Sequence, residues 1–403
     1  MNAANTSQRI KPAMAFLAIM MALMPSVCSS TDSHGDWPQF HLDPQHKGAS
    51  LSLAPHSDML AWISENIGAQ DGSAVSVAGG RVFVNCIDRL VCLDRSSGKM
   101  LWNTSFEATP DTCQVWGSSP VYDDGKVFLS ASRTLCLNAS DGRELWSFAP
   151  PTKRGSVDGG PVVVEGRVVV SDWDGHHYYC LDEETGKELW NFTVVGNAQS
   201  TPSIDGENVI FAGWEWGLGG VVYCVNLDNG SEVWNLTTKN SPCGSAALSQ
   251  DVAYFTTYNF EGDGDIMAVS LENKSLLWEK SIPRTDGTPA LAKGLLFVCG
   301  GADGFSEKAT YCFDALTGGL IWSTAEDDGI GEWRCSPAYA DGLLFVGRTE
   351  NMNYTTLHAL NADTGEMVWS YPAGGSSPAV AGGMVFTIGS GKVYAFGRGG
   401  AGP

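Results

Sequence analysis

The chain has 403 residues, of which 43% are hydrophobic and 48 are glycine, and it carries a formal net charge of −21. That acidity, with no run of basic residues anywhere, works against nucleic acid and against an anionic lipid surface, because both are held by clustered Lys and Arg. Length alone suggests two or three domains, but an internal repeat accounts for most of it and points to one closed domain.

In chain order, residues 1–27 read first, as an export signal peptide. Arg9 and Lys11 precede an apolar stretch from Ala13 to Met24, too short for the about 20 helical residues that span a bilayer but suited to a signal. Without the signal's two cations the mature chain would carry −23 (−21 less +2). Cys28 begins the polar run Cys28-Ser29-Ser30-Thr31-Asp32-Ser33 and is a candidate for lipidation, which would anchor the protein to a membrane. Val27 is larger than the residue that normally precedes such a cysteine, so plain cleavage and release is the competing outcome. Either way the expected location is extracellular or cell-envelope associated.

Residues 28–56 are expected to form a tether and lead-in, 57–398 the repeated domain, and 399–403 a short tail. Within the domain a twelve-residue segment ending in tryptophan recurs, as in YCLDEETGKELW (179–190) and HALNADTGEMVW (358–369). Trp102, Trp146, Trp190, Trp234, Trp278 and Trp322 are each 44 residues apart, Trp369 follows after 47, and Trp62 precedes the series by 40. A period of roughly 40–45 residues with four strands per unit is the mark of a β-propeller.

One unit shows the pattern. Ser118–Tyr122 reads as a short innermost strand, Lys126–Ala131 as a second, Thr134–Asn138 as a third and Glu144–Phe148 as the outer one, with Gly and Asp in the turns. Alternating apolar residues between such turns mark half-buried strands. At the C-terminal end Gly375–Val380, Met384–Ile388 and Lys392–Phe396 supply three strands without a fourth, while Met59–Ile63 is a fourth strand without three. Joined, they make an eighth blade. The expected fold is therefore all-β: an eight-bladed propeller of four-stranded antiparallel blades, its ring closed by pairing of the chain ends, which removes free edges.

Ten residues before the tryptophan, Cys92, Cys136, Cys180, Cys224 and Cys312 alternate with Ala268 and Ala359. Exchange of Cys with Ala marks a small buried site, in which Cys acts as a compact hydrophobe. Gly98, Gly142, Gly186, Gly230, Gly318 and Gly365 suit a left-handed turn before the outer strand; Lys274 replaces glycine in blade 5, so a different turn is expected there. Asn103, Asn138, Asn191, Asn229, Asn235, Asn273 and Asn353 each begin an Asn-X-Ser/Thr sequon. Six of these fall on the outer strand or the turn feeding it, where glycans would face solvent and shield a strand edge. The pattern favours a glycoprotein.

The motif A-x-D-x-x-T-G-x-x-x-W, seen best at Cys180–Trp190 and Ala359–Trp369, resembles the tryptophan-docking motif of the PQQ-like β-propeller repeat family, which includes quinoprotein dehydrogenases and BamB-type envelope assembly lipoproteins. The opening Asp36–Asp43 is similar to the lead-in of many secreted members. The resemblance covers about four fifths of the chain. It implies a structural role, holding adjacent blades together, for Trp62, Trp102, Trp146, Trp190, Trp234, Trp278, Trp322 and Trp369.

The resemblance also raises an enzymatic alternative, a PQQ-dependent quinoprotein oxidoreductase with a reduced site. The dehydrogenases of that superfamily carry PQQ on the axis under a disulfide of adjacent cysteines, with a catalytic Asp and Ca²⁺ ligands from long insertions. This chain has no Cys-Cys pair and no room for such insertions, so no catalytic residue is carried over. Asp172–Gly175 and Asp263–Asp265 resemble fragments of Ca²⁺ loops but lack the further oxygen ligands a hard cation needs, and no metal site is expected. The remaining candidates are aromatic residues outside the repeat position. Trp116 and Trp333 fall between an outer strand and the next inner strand; Trp173, Trp214 and Trp216 fall between second and third strands; Tyr258, Phe260 and Phe305 lie in longer loops. Strand alternation sends both connection types to one end of the ring. Loop aromatics gathered there suggest recognition of a protein, peptide or glycan, so the favoured function is non-catalytic binding with no cofactor. About half of the tryptophans are expected to pack inward, given how buried this residue usually is.

Overall fold

In the computed structural model the described residues, apart from Met1, are 35–107, 117–151, 159–249, 251–325 and 328–397. The export signal, Cys28, Cys113, Trp116 and the 399–403 tail lie outside them. The described chain forms eight sheets arranged as propeller blades, each built on a path of four antiparallel strands running from the axis outward, with Ala49–Ser50 added in parallel inside blade 7. Blade 2 runs Val121–Asp123, Lys126–Ser130, Thr134–Asn138 and Glu144–Phe148. Blade 8 joins Ala379–Ala381, Met384–Gly389 and Lys392–Phe396 to Leu60–Ile63. There Trp62 lies opposite Ala395 and Leu60 opposite Phe396, so the N- and C-terminal strands close the ring. No helix of the described residues is long and apolar enough to cross a membrane.

The recurring small residue, tryptophan, aspartate and glycine of the repeat each have an identifiable place at the seam between blades. Cys180 is the cross-strand partner of Trp190, as Cys92 is of Trp102 and Ala268 of Trp278, and the register slips by one residue beside each pair. The indole therefore covers a small side chain and tips toward the next blade. There it rests on the turn glycine: a Cβ at Gly230 would lie 2.8 Å from the Trp190 ring, and one at Gly142 would lie 2.6 Å from Trp102. The ring nitrogen then donates to a backbone carbonyl of that same turn, Trp190 to Leu227 at 2.7 Å and Trp278 to Ala315 at 3.1 Å. The motif's aspartate caps the turn, since Asp182 Oδ1 accepts the Thr185 backbone N–H at 2.8 Å and its hydroxyl at 2.5 Å. These bonds hold the Asp182 carboxyl below its ordinary pKa. The recurring spacing thus sets the indole against the turn of the next blade.

Two expectations need correction. Lys274 was expected to change its turn; it adopts φ 56°, in the left-handed region the glycines occupy, and Ser270 and Ser275 pair as usual. Backbone pairing dictates that conformation, and the lysine tolerates it with its Nζ over Val233 O at 3.4 Å. The segment before Trp62 is also more than a tether. From Trp37 onward it circles the inner strands, bonding the middle residue of one blade after another: Val77, Tyr122, Val163, Ile204, Leu248, Leu291 and Tyr339. Ser52 Oγ then accepts from Gly383 in blade 8 at 2.8 Å. The innermost strands would otherwise turn bare N–H groups toward the axis, so a passing backbone is the natural partner. Midway round, Phe40 and His41 fold inward, where the His41 ring nitrogens each lie 2.7 Å from a carbonyl oxygen, of His46 and of Pro337 in blade 7. The collar plugs that end of the ring. Its Pro55 also accepts the Trp369 indole at 2.9 Å, standing in for the turn that blade 8 lacks because the chain ends meet there.

Candidate functional site

The opposite end is built by hairpins of unequal length. The second strand of blade 1 is six residues, Arg81–Cys86, whereas in blade 4 it is eight, Asn208–Glu215. At about 3.4 Å per residue this lengthens the blade 4 hairpin beyond those of blades 1 and 3, and the blade 5 hairpin, with strands of seven and eight residues, rises beside it. The extension alters the sequence-based placement of two aromatics: Trp214 and Tyr258 lie within strands, near their ends, rather than in loops. Trp214 turns inward and is 2% exposed, with its indole donating to Gln199 Oε1 at 2.9 Å. Trp216, in the turn beyond it, is 74% exposed.

Around these residues the aromatics form a continuous group. Trp173, half-buried, meets Trp214 edge-on at 5.9 Å; Trp214 lies 4.9 Å from Phe260; Trp216 stacks on Phe260 at 4.0 Å; Phe260 touches Tyr258 at 4.6 Å; and Tyr258 meets Trp333 at 5.7 Å. Phe260 holds φ 65°, a region that costs an ordinary L residue about 1–2 kcal/mol; ring contacts on three sides offset that cost. Trp333 and Tyr258 are buried, so they underlie the surface, whereas Trp216, Leu218 and Phe305 stand exposed on it. The sequence-predicted aromatics of blades 3 to 7 that are described therefore share one end; Trp116 falls outside the described residues.

Sequence reasoning missed Arg284. It sits in the connection from blade 5 to blade 6, and its guanidinium lies 4.1 Å from the Trp333 ring centroid, 4.8 Å from Tyr258 and 4.9 Å from Phe305. No local pattern announces it, because its neighbours come from three different connections. Burial is the leading reason the Tyr258 phenol is pushed far above its ordinary pKa.

Inside the ring of loops an axial funnel of about 560 Å³, open solvent at its mouth included, runs down to Phe40 of the collar. Small polar residues such as Ser119, Ser200, Thr201 and Ser245 line it, with Gln199, Cys243, Asp286 and Arg334 as its larger groups. Beside it Glu332, fully buried, accepts from Arg334 Nε at 3.2 Å and also takes the Thr349 hydroxyl. Burial raises the Glu332 pKa and Arg334 counteracts it. A quinone cofactor paired with a metal ion would need several oxygen ligands beside the ring system. Among the described residues Asp286 is the one carboxylate lining the funnel, and no group of three His, Cys, Asp or Glu could hold a metal ion. The described residues do not make that site. Asp265, in one of the Ca²⁺-loop fragments, is instead taken up by Asn240, Thr257 and Ser281 at 2.7–3.2 Å.

Comparison with known proteins agrees with this architecture. The family model for outer membrane protein assembly factor BamB matches residues 47–136, 130–305 and 306–397. Among curated relatives, the dehydrogenase subunit of a quinone alcohol dehydrogenase from Gluconacetobacter polyoxogenes is 26% identical over 174 residues, 38% of this chain and 23% of that protein. Escherichia coli (strain K12) BamB is 33% identical over 95 residues, 21% of this chain and 24% of its own. The chain thus spans about a quarter of the length of these relatives. Among solved structures, BamB from Moraxella catarrhalis superposes with a TM-score of 0.63 at 14% identity, covering 80% of this chain and 92% of that one. Quinohemoprotein alcohol dehydrogenase from Comamonas testosteroni gives 0.74 at 14% identity, covering 92% and 81%. At those identities the likeness speaks for fold alone. With a family model matched along most of its length and the repeat's packing logic intact in the structure, the chain belongs to the PQQ-like repeat β-propeller family that includes BamB.

Proposed function

We propose that this protein is an exported, non-catalytic propeller that captures a protein, peptide or glycan partner on its aromatic end. The observation that carries the reading is Trp216: a large ring 74% exposed at the tip of a lengthened hairpin, stacked on Phe260 and backed by buried Trp214. Solvent exposure of so large an apolar ring is costly unless a partner covers it, and aromatic anchors dominate binding energy at interfaces. Leu218 and Phe305, also exposed, extend the patch. The opposite end is closed by the collar, so the aromatic end alone gives access to the axial funnel. A family relative named for assembly at the outer membrane is consistent with a protein partner and an envelope location.

Glycosylation and a lipid anchor at Cys28 belong to the same proposal. Asn103, Asn191, Asn229, Asn235, Asn273 and Asn353 are exposed; Asn138 is half-buried and its Oδ1 accepts from Ser140 N–H at 2.8 Å. A mobility shift on glycosidase treatment of the exported protein tests the first, and mass spectrometry of its N-terminus the second. The competing oxidoreductase reading draws on the quinone dehydrogenase relatives. Titration with PQQ followed by absorbance separates the two: stoichiometric tight binding supports the oxidoreductase, while retention of an envelope partner that Trp216→Ala weakens supports the binding module.

A further inference from the structure

Arg284 is placed in a way that packing alone does not satisfy. Only 9% of the residue is exposed, and rings of Trp333, Tyr258 and Phe305 lie within 4.1–4.9 Å of its guanidinium carbon. Aromatic faces stabilise the positive charge but accept none of the five N–H donors at its edge. Those donors are poorly served. Nη1 reaches the Phe260 carbonyl oxygen at a long 3.4 Å, and Nε has no hydrogen-bond partner. Among the described residues no carboxylate forms an ion pair with it: Asp303 is taken by Lys308 at 2.6 Å, and Asp263 by Asn259 at 3.3 Å. A guanidinium buried to this degree normally has an anionic acceptor, because desolvating it without one is expensive.

We infer that the aromatic end carries a carboxylate-binding site centred on Arg284, which receives a single free carboxylate of a polypeptide partner beside an apolar residue that packs on Trp216 and Phe260. This rests on the binding reading above and names the chemistry of its partner. With ring faces packed against the guanidinium, its N–H edge is what lacks an acceptor, and in-plane pairing suits the planar two-oxygen fork of a carboxylate. Glu215 and Glu261, exposed and next in the chain to Trp216 and Phe260, disfavour a polyanion more strongly than a single carboxylate. A peptide fits better than a sugar. The neighbouring amide Asn259 is consumed by Glu261 N–H at 2.9 Å and by Asp263, leaving little to read hydroxyl groups, whereas Leu218 and Phe305 offer apolar contact.

The test uses short fluorescent peptides ending in Leu-Phe in three forms: free acid, amide, and amide with an internal Asp. Binding to the full mature chain is read by polarisation. The free acid or the Asp peptide should bind wild type about tenfold or more tightly than the plain amide, as expected of a charge-assisted pair; which of the two does so identifies a C-terminus or a side chain as the source. Arg284→Gln should abolish that preference. Arg284→Lys, which keeps the charge and loses the planar fork, should reduce it with an unchanged melting temperature. Equal binding of acid and amide by wild type, a preference that survives Arg284→Gln, or no binding of any peptide would overturn the assignment. Trp216→Ala should weaken all three peptides alike. If it does so while acid and amide bind equally, the aromatic-end reading stands and the carboxylate site does not.

Discussion

Tryptophan is used in two ways in this ring, and the contrast is instructive. At the seams the indoles share one pattern: Cys or Ala opposite, and in most blades a left-handed turn beneath and a carbonyl at the nitrogen, with Pro55 of the collar replacing the turn at Trp369. At the aromatic end no two have the same surroundings. Trp214 is enclosed and bonded to Gln199, Trp216 projects into solvent, and Trp333 lies against a cation. Repetition marks the places where every blade must solve one packing problem. Departure from the repeat marks residues released from it, and exposure then separates those that support the surface from those that form it.

The comparison can be broken most severely at a seam. Trp190→Ala should cost about 3–5 kcal/mol, the range for a large buried aromatic, measured by urea denaturation; a cost under 1 kcal/mol would show that docking indoles are not what joins the blades. At the aromatic end the pair Trp214→Ala and Trp216→Ala should divide. Trp214, 2% exposed, should behave like a seam residue and cost about 3 kcal/mol, whereas Trp216 should change stability by about 0.5 kcal/mol or less and reduce partner binding by about 1–2 kcal/mol. Equal stability losses would erase the distinction between support and surface.

The collar offers a pH-dependent contrast. Burial lowers the His41 pKa to about 4, against the pull of two carbonyls, and lowers that of His46 to about 3, with the His41 charge adding to it. Both folded values lie below the ordinary 6.5, so on acidification the unfolded chain takes up protons that the folded one refuses. Stability is full above pH 6.5 and falls as pH drops toward 4, by about 2–3 kcal/mol per ring. Chemical denaturation at pH 7 and pH 4.5 measures it, and a His46→Asn variant should show a shallower loss. The smallest effects test the turn under the indole. Gly230→Ala adds a Cβ 2.8 Å from the Trp190 ring at φ 68° and should cost about 2 kcal/mol, while Lys274→Gly should stabilise by up to about 1 kcal/mol by relieving a side chain at φ 56°. Urea denaturation measures both; if neither changes stability, fold-wide pairing rather than glycine itself sets that turn.

How much could be read beforehand follows the same division. The third and outer strands of blade 2 fall where the pattern placed them, at Thr134–Asn138 and Glu144–Phe148, because alternation and turn residues are local signals. Trp214 and Tyr258 were expected in loops, since nothing local shows that a hairpin continues two residues further when its neighbours shield it. Arg284 had no signal at all.

The sequence by itself determined the blade count and the closure of the ring by its ends, because a constraint imposed at every seam leaves a periodic trace. Only the tertiary structure decided that the lead-in circles the axis and plugs it at Phe40, that Trp216 is presented while Trp214 is enclosed, and that Arg284 lies among rings from three connections. Each of these depends on which segments, far apart in the chain, meet at one end of the ring, and such meetings occur once and leave no period to read.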